Sequence, residues 1–368
     1  MKKILVFGIT DNPGGVESVI MSYYRHINRN KIHFDFLCNT DIVAHEEEIL
    51  LFGGKIYRVC ARSKDRNQYK KDMDSFYRAH SKEYDAIWVN VCSLANIDYL
   101  KYAKKYGIPR RIIHSHNSQN MDSFLRGLLH KYNKNQIEKY ATDFWACSNA
   151  AAHWFYKEDI AKKAIILHNA IDVKAMEYND EKRNSIRRQY SLENNLVIGN
   201  IGRLHFQKNQ EFIIDIFNEL HKEDKKYKLV LVGQGEDEKK LKEKVHQLNL
   251  DNVVLFTGVQ KDIQGWLSTF DFFLFPSKFE GLSIAGLEAQ ANGVPVLCSA
   301  KVNPPELKIN SNFEFLSLKY SSKLWAKEVK KGLNNKRIES KQVLESFSKA
   351  GYEIKKETRK FEDLLNTL

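Results

Sequence analysis

The chain has 368 residues, 43% apolar and 28% charged, values of a globular protein large enough for two domains with separate cores. No apolar run approaches the roughly eighteen residues that a spanning helix needs, and the run opening at Met1 is too short for a signal peptide and reads as a first strand. The net charge of +12 is uneven: residues 1–175 carry 27 Lys and Arg against 19 Asp and Glu, a net of +8. Such a half suits acidic substrates or an anionic membrane surface. Nucleic acid is excluded as a partner because no helix-turn-helix, zinc-finger or RNP-like signature accompanies the charge. Five scattered cysteines (Cys38, Cys60, Cys92, Cys147, Cys298) show no paired spacing and read as buried thiols of a reducing, cytoplasmic compartment.

In chain order, Ile4–Phe7, Phe34–Cys38, Lys55–Val59, Ala86–Val91, Arg111–His114, Phe144–Cys147 and Ala164–Leu167 read as strands. Amphipathic stretches such as Val16–Ile27 and Asn96–Tyr106 lie between them, an alternation that predicts a parallel sheet covered on both faces. The turn after the first strand carries Gly14-Gly15-Val16-Glu17 and lacks the Gly-x-Gly-x-x-Gly of dinucleotide binders. Its glycines either close a tight strand-to-helix turn or let backbone approach a phosphate or an acceptor hydroxyl. His114 and His116 fall at the end of a strand, where open parallel sheets bind ligands; no Cys or carboxylate follows at metal-ligand spacing. The segment 123–132 mixes apolar and basic residues, so it either packs on the sheet as an ordinary helix or lies in a membrane interface. Ser148 reads as a helix N-cap, and the charged stretch 173–194 as a linker.

A second alternating series starts at Leu196. A strand enters a loop carrying Gly202, Arg203 and Lys208, before a helix at Glu211–Leu220; cations displayed there suit a diphosphate, or simply form a solvated basic loop. Gly233 and Gly258 follow two further apolar runs, with Val259 next in line. The stretch from Phe270 to Ser299 reads as a strand (Asp271–Phe275), a Pro276-Ser277 turn, a loop ending in Glu280-Gly281, and a helix over 283–291 stopped by Asn292-Gly293. A helix N-terminus after such a turn leaves unpaired N–H groups that favour an anion. Two carboxylates eight residues apart, Glu280 and Glu288, flank it, and carboxylates accept sugar hydroxyls.

The string Pro-Ser-x-x-Glu-Gly-x-x-x-x-x-x-Glu-Ala-x-Ala-x-Gly-x-Pro-Val, beginning at Pro276, resembles the donor-binding signature of retaining glycosyltransferases of family 4. Gly14-Gly15-Val16-Glu17, His116, Leu167–Asp172 and Gly202…Asn209 resemble further segments of that family in the expected order, so the likeness spans nearly the whole chain. It is most similar to the capsular and exopolysaccharide branch. Ala170 stands where the family has glycine, which argues against a strict backbone role there.

The resemblance implies an α/β GT-B fold: two Rossmann-like doubly wound domains facing a central cleft, over residues 1–172 and 173–345, with residues 346–368 a C-terminal helix packing back on the first. It implies transfer of a hexose or N-acetylhexosamine from a UDP-sugar to a lipid-linked saccharide; the basic first half and the segment 123–132, in their membrane reading, put the protein on the cytoplasmic side and peripheral to the inner face of the membrane. Glu288 would hold the ribose, Glu280 the sugar ring and His116 the region near the reacting carbon. Arg203, Lys208 and the helix start at Gly281, Leu282 and Ser283 would take the charge of departing UDP. Gly202, Gly233, Gly258 and Val259 would admit the nucleotide, and Gly14 and Gly15 the acceptor. No metal or other cofactor is expected, since no Asp-x-Asp stands in the setting of a metal-dependent transferase. The competing readings are a nucleotide-sugar epimerase of the same fold and a non-catalytic sugar-nucleotide or glycan-binding protein.

Overall fold

The computed structural model describes residues 1–11, 14–117, 124–280 and 282–366. Gly281, expected on the donor side, lies outside them, as do Asn12, Pro13 and Ser123. The chain divides into two units, Met1–Ala170 with Ile354–Leu368, and Ile171–Glu353.

In the first unit seven strands form one sheet: β1 (Lys2–Phe7), β2 (Ile32–Cys38), β3 (Ile56–Arg58), β4 (Ala86–Val91), β5 (Arg110–Ser115), β6 (Asp143–Ala146) and β7 (Ile165–Ile166). All neighbours run parallel in the order β3-β2-β1-β4-β5-β6-β7. The strands read as continuous apolar runs because helices cover both faces; Ile87, Trp88 and Val89 of β4 are all buried. The order reverses between β1 and β4, which opens a crevice at their carboxyl ends. The helix Ile354–Asn366 belongs to this unit: Phe361 packs 4.9 Å from Trp88 and 5.0 Å from Tyr23, ring centre to ring centre.

The second unit repeats the plan with β8 (Leu196–Ile201), β9 (Tyr227–Val232), β10 (Val254–Phe256), β11 (Phe272–Phe275), β12 (Val296–Ser299) and β13 (Phe313–Leu316). The order is β10-β9-β8-β11-β12-β13, again all parallel, with the reversal between β8 and β11. Gly199 interrupts the apolar run of β8 because the Phe270 ring occupies the place a Cβ would take, 2.2 Å away.

The expected strands all form, with ends displaced by at most two residues. The linker expected over 173–194 is instead partly a helix, Asp180–Gln189, and its charge is why it went unseen. Its cations face inward: Arg183 and Arg187 each donate to a different Asp271 carboxylate oxygen at 2.6 Å, and the Val197 N–H donates to the same carboxylate at 2.8 Å. A helix buried through ion pairs shows no apolar stripe in sequence. The expected tail helix is likewise two helices, Ser340–Ala350 in the second unit and Ile354–Asn366 in the first, separated at Gly351 with φ of +81°.

Candidate functional site

In the second unit the candidate residues gather at the carboxyl ends of β8, β9 and β11, beside the reversal of strand order. Strands β8 and β9 each run into a glycine, Gly202 and Gly233, Gly258 stands just past β10, and these ends are laced together. The Gly202 N–H donates to Val232, and the Gly233 N–H donates to the Gly258 carbonyl at 2.8 Å. A Cβ on Gly233 would lie 2.1 Å from the Gly202 carbonyl oxygen, and φ there is +131°, so only glycine fits. Gly258 also has positive φ, +67°, but open space around it. Val259 follows with its side chain exposed. No hydrogen bond to its backbone N–H or carbonyl is found among the described residues, leaving an edge free for a planar ligand.

The loop after β8 is stapled to the loop after β11. The Gln207 side chain donates to the Phe279 carbonyl at 3.0 Å, the Lys278 N–H donates to the Gln207 carbonyl at 2.8 Å, and the Asn209 amide donates to Pro276 at 3.0 Å. These bonds bring Lys208 to Glu280, with 2.7 Å between ammonium and carboxylate. The Lys208 ammonium also lies 5.2 Å from the Phe275 ring centre. A Cβ on Gly202 would sit 3.3 Å from the Lys208 stem, so this glycine makes room for the lysine. The sequence treats the phosphate cation and the sugar carboxylate as separate groups; the structure makes them partners.

Arg203, next after Gly202 at the same strand end, has a different partner. It is exposed and donates to Glu236 at 3.0 Å, a carboxylate that His205 also approaches at 3.3 Å. Ser283 caps the helix Ile284–Ala291, its hydroxyl accepting from the Gly286 N–H at 3.1 Å, and Leu282 is buried beside it. Four residues into the helix, Glu288 lies in a recess: part of its surface meets solvent, yet protein surrounds the carboxyl closely. Burial pushes that carboxyl up to about 7. No hydrogen bond or ion pair to it is found among the described residues, so its acceptor capacity is unspent.

In the first unit, Gly14 precedes the helix Gly15–His26 in extended backbone, and its carbonyl accepts from the Ser18 N–H at 3.0 Å. Behind this turn Glu17 is buried and accepts from the Thr10 hydroxyl at 2.5 Å; burial raises its carboxyl above the usual range despite that bond. His114 belongs to β5 and is fully buried, while His116 lies just past the strand end, its N–H donating to Val91. The Asn90 amide donates to the Phe7 and Trp88 carbonyls, so its oxygen is left to accept from His116 Nε2 at 2.9 Å. Burial brings the His116 imidazole down to about 4, so it is neutral at pH 7, with the proton on Nε2. Glycine at position 8 allows this arrangement, since a Cβ there would meet Asn90 at 2.8 Å.

Asn90 and Glu236 are polar residues that sequence reasoning missed, and Glu17, though part of the glycine-turn motif, has no role of its own in that reasoning. Asn90 lies within an apolar strand run, and a polar residue at the end of such a run beside a strand-order reversal is the signal that could have found it. Among the described residues no group of three or more His, Cys, Asp or Glu is placed to hold a metal ion.

Residues 182–353 match the family Glycosyl transferases group 1. Across 93% of this chain and 90% of the other, the sequence is 27% identical to EpsF of Bacillus subtilis (strain 168), named as a glycosyltransferase. It is 26% identical to the capsular polysaccharide biosynthesis glycosyltransferase CapM of Staphylococcus aureus over 54% of each chain. The structure is similar to that of Anabaena HepE, solved in complex with UDP and glucose, with a TM-score of 0.83 over 100% of both chains at 18% identity. The two parallel-sheet, Rossmann-like units are thus those of a GT-B fold.

Proposed function

We propose that this chain, a glycosyltransferase of group 1, moves a hexose or N-acetylhexosamine from a UDP-sugar to a lipid-linked glycan, with retention of configuration, in capsule or exopolysaccharide synthesis. The observation that carries the donor assignment is the Lys208–Glu280 pair at the β8/β11 reversal, with the recessed, unpartnered Glu288 on the following helix. The names of EpsF and CapM support a glycan-building role, and the UDP and glucose in the HepE complex support the donor class.

In the reaction the bond between the anomeric carbon and the β-phosphate oxygen breaks, its electron pair leaving with UDP. A bond from the acceptor oxygen to that carbon forms on the same face, and the acceptor proton passes to the departing phosphate oxygen. Lys208 and the Ser283-capped helix start meet the charge as it grows on the phosphate, which is where electrostatic stabilisation lowers a barrier. Glu280 then holds both a sugar hydroxyl and the Lys208 ammonium, coupling sugar position to phosphate position. Glu288 accepts the ribose hydroxyls, and the free edge at Val259 meets the base. In the first unit the Gly14-Gly15 turn is assigned the acceptor and the neutral His116 a sugar hydroxyl. These groups serve in place of a metal ion, so chelators should leave turnover unchanged.

The test is UDP release from UDP-glucose, UDP-galactose and their N-acetylamino forms, with Glu288→Ala as control. Release or binding with one donor, lost in the variant, supports the reading and names the sugar. Silence with every UDP donor, together with release from a GDP- or ADP-sugar, overturns the nucleotide assignment.

A further inference from the structure

The helix Phe124–Lys134 is amphipathic in the inverted sense. Its buried positions are polar: His130 accepts through Nδ1 from the Leu94 N–H at 3.1 Å, and the Asn133 amide donates to the Leu94 carbonyl at 2.6 Å. Trp154 stacks on His130 at 4.2 Å, and the Lys134 ammonium donates to the carbonyls of His153 and Trp154. The helix is therefore held to the unit by hydrogen bonds and by ring contacts of His130 with Trp154 and Phe155. Its apolar residues point the other way. Phe124 is 80% exposed, Leu125 70% and Tyr132 65%, and Leu128 and Leu129 are exposed as well. These are five of the twelve large apolar side chains exposed among the described residues, so nearly half of that surface is concentrated on one short helix. At about 100° per residue they fall within a single arc of roughly 140°.

The charges fit one occupant. Lys131 borders that arc directly, the exposed Arg126 lies farther round past its other edge, and no acidic residue occurs between Phe124 and Lys134. An apolar stripe bordered by cations, on the more basic half of the chain, complements an anionic bilayer surface, where the rings and leucines enter the acyl boundary while the cations meet lipid phosphates. The location adds a purpose. His130 and Asn133 bond the helix to Leu94, just past the end of β4, and β4 neighbours β1, whose carboxyl end leads into the glycine turn. The apolar face therefore lies on the same sheet edge as the proposed acceptor groups.

We propose that the helix Phe124–Lys134 docks the protein on anionic lipid and so presents the glycine turn to a lipid-linked acceptor; its purpose, though not its chemistry, rests on the transferase reading above. The experiment is flotation of the full-length protein with vesicles of phosphatidylglycerol and phosphatidylcholine in roughly a 1:2 ratio. Wild type should float at low salt and be released at high salt. Leu125→Gln/Leu129→Gln should lower partitioning about tenfold or more, and Lys131→Glu should weaken it, with the circular dichroism spectrum, thermal midpoint and vesicle-free UDP release of the parent retained.

Wild type remaining with the unbound fraction, or a double variant that floats as well as wild type, overturns the proposal. So does a self-associated species that the double variant disperses without any flotation, which would make a second copy the occupant. Flotation lost in the double variant, in a protein that releases no nucleotide from any sugar donor, would uphold docking and sink the transferase reading instead.

Discussion

The Lys208 ammonium lies 2.7 Å from a Glu280 oxygen, and their side chains are 17% and 8% exposed. Removing either partner leaves the other charge mostly buried and alone, which costs more than the pair contributes. Lys208→Ala should therefore lower turnover on the order of a hundred- to a thousand-fold and also destabilise the second unit by about 1–3 kcal/mol. From sequence alone, Lys208→Ala is expected to leave folding intact; the ion pair changes that expectation. The double variant Lys208→Met/Glu280→Gln should recover most of the stability and none of the turnover. Urea midpoints and UDP release decide it: activity near wild type in Lys208→Ala would end the phosphate role.

Glu288 yields a pH prediction of definite sign. Its carboxyl is shifted from the ordinary 4.5 up to about 7 by burial alone. Below pH 4.5 it is neutral whether the chain is folded or not, and nothing is lost. Between the two values the unfolded chain releases its proton first, so the folded state loses stability as pH rises, and above 7 the full penalty applies. Glu288→Gln should be more stable than the parent at alkaline pH, on the order of 1–3 kcal/mol, with the difference vanishing in acid. Ligand affinity moves oppositely. Ribose hydroxyls prefer the ionised acceptor, so UDP binding should weaken as pH falls through about 7, and Glu288→Gln should bind about 10- to 100-fold more weakly. Calorimetry on both proteins checks this. A variant no more stable than the parent at alkaline pH would show that the carboxylate already has a partner.

The fold was legible in sequence wherever burial is apolar. Strand β4 begins and ends where its apolar run does, and the Ser148 cap is in place, its hydroxyl accepting from the Ala151 N–H at 3.1 Å. Legibility failed where burial is ionic or polar. The helix Asp180–Gln189 hid because Asp271 compensates its arginines from a residue far along the chain, and no local window contains both partners. The inverted helix at Phe124 could be read either as membrane-facing or as packed on the sheet, since a hydrophobic period gives the existence of a face and not its direction. For the candidate site, the residue types and their order stood in the motif, but the pairing did not: that Lys208 meets Glu280 while Arg203 turns to Glu236 depends on how two loops are stapled.

Two glycines separate steric demand from backbone demand. At Gly233 a methyl group would overlap the Gly202 carbonyl and φ is +131°, so Gly233→Ala should destabilise by about 2–4 kcal/mol and abolish tight nucleotide binding as the strand ends part. At Gly258 φ is +67° with nothing in the way, so Gly258→Ala should cost only about 1 kcal/mol and keep UDP affinity within a few-fold. Equal losses in thermal midpoint and affinity for the two variants would remove the distinction.

Three buried histidines of the first unit titrate in the opposite sense to Glu288. Burial lowers His116 and His130 from the ordinary 6.5 to about 4 and holds His114 below its ordinary value. All three are neutral when folded at neutral pH and must take up protons on unfolding in mild acid. Their contribution is fully present above pH 6.5 and is lost as pH falls from there through about 4, while the raised carboxyl of Glu17 partly offsets the slope. The first unit should thus weaken steadily between about pH 6.5 and 4, by on the order of 2 kcal/mol for each of His116 and His130, with His114 acting in the same direction. His116→Gln, whose amide can still donate to Asn90, should flatten that slope by about one proton's worth without changing the midpoint at neutral pH. Urea unfolding followed by fluorescence of the buried Trp88 and Trp145 across that range measures the slope, and NMR titration of His116 provides the control. An imidazole that titrates near 6.5 would mean that the Asn90 contact opens in solution, and the neutral His116 with its proton on Nε2 would have to be given up.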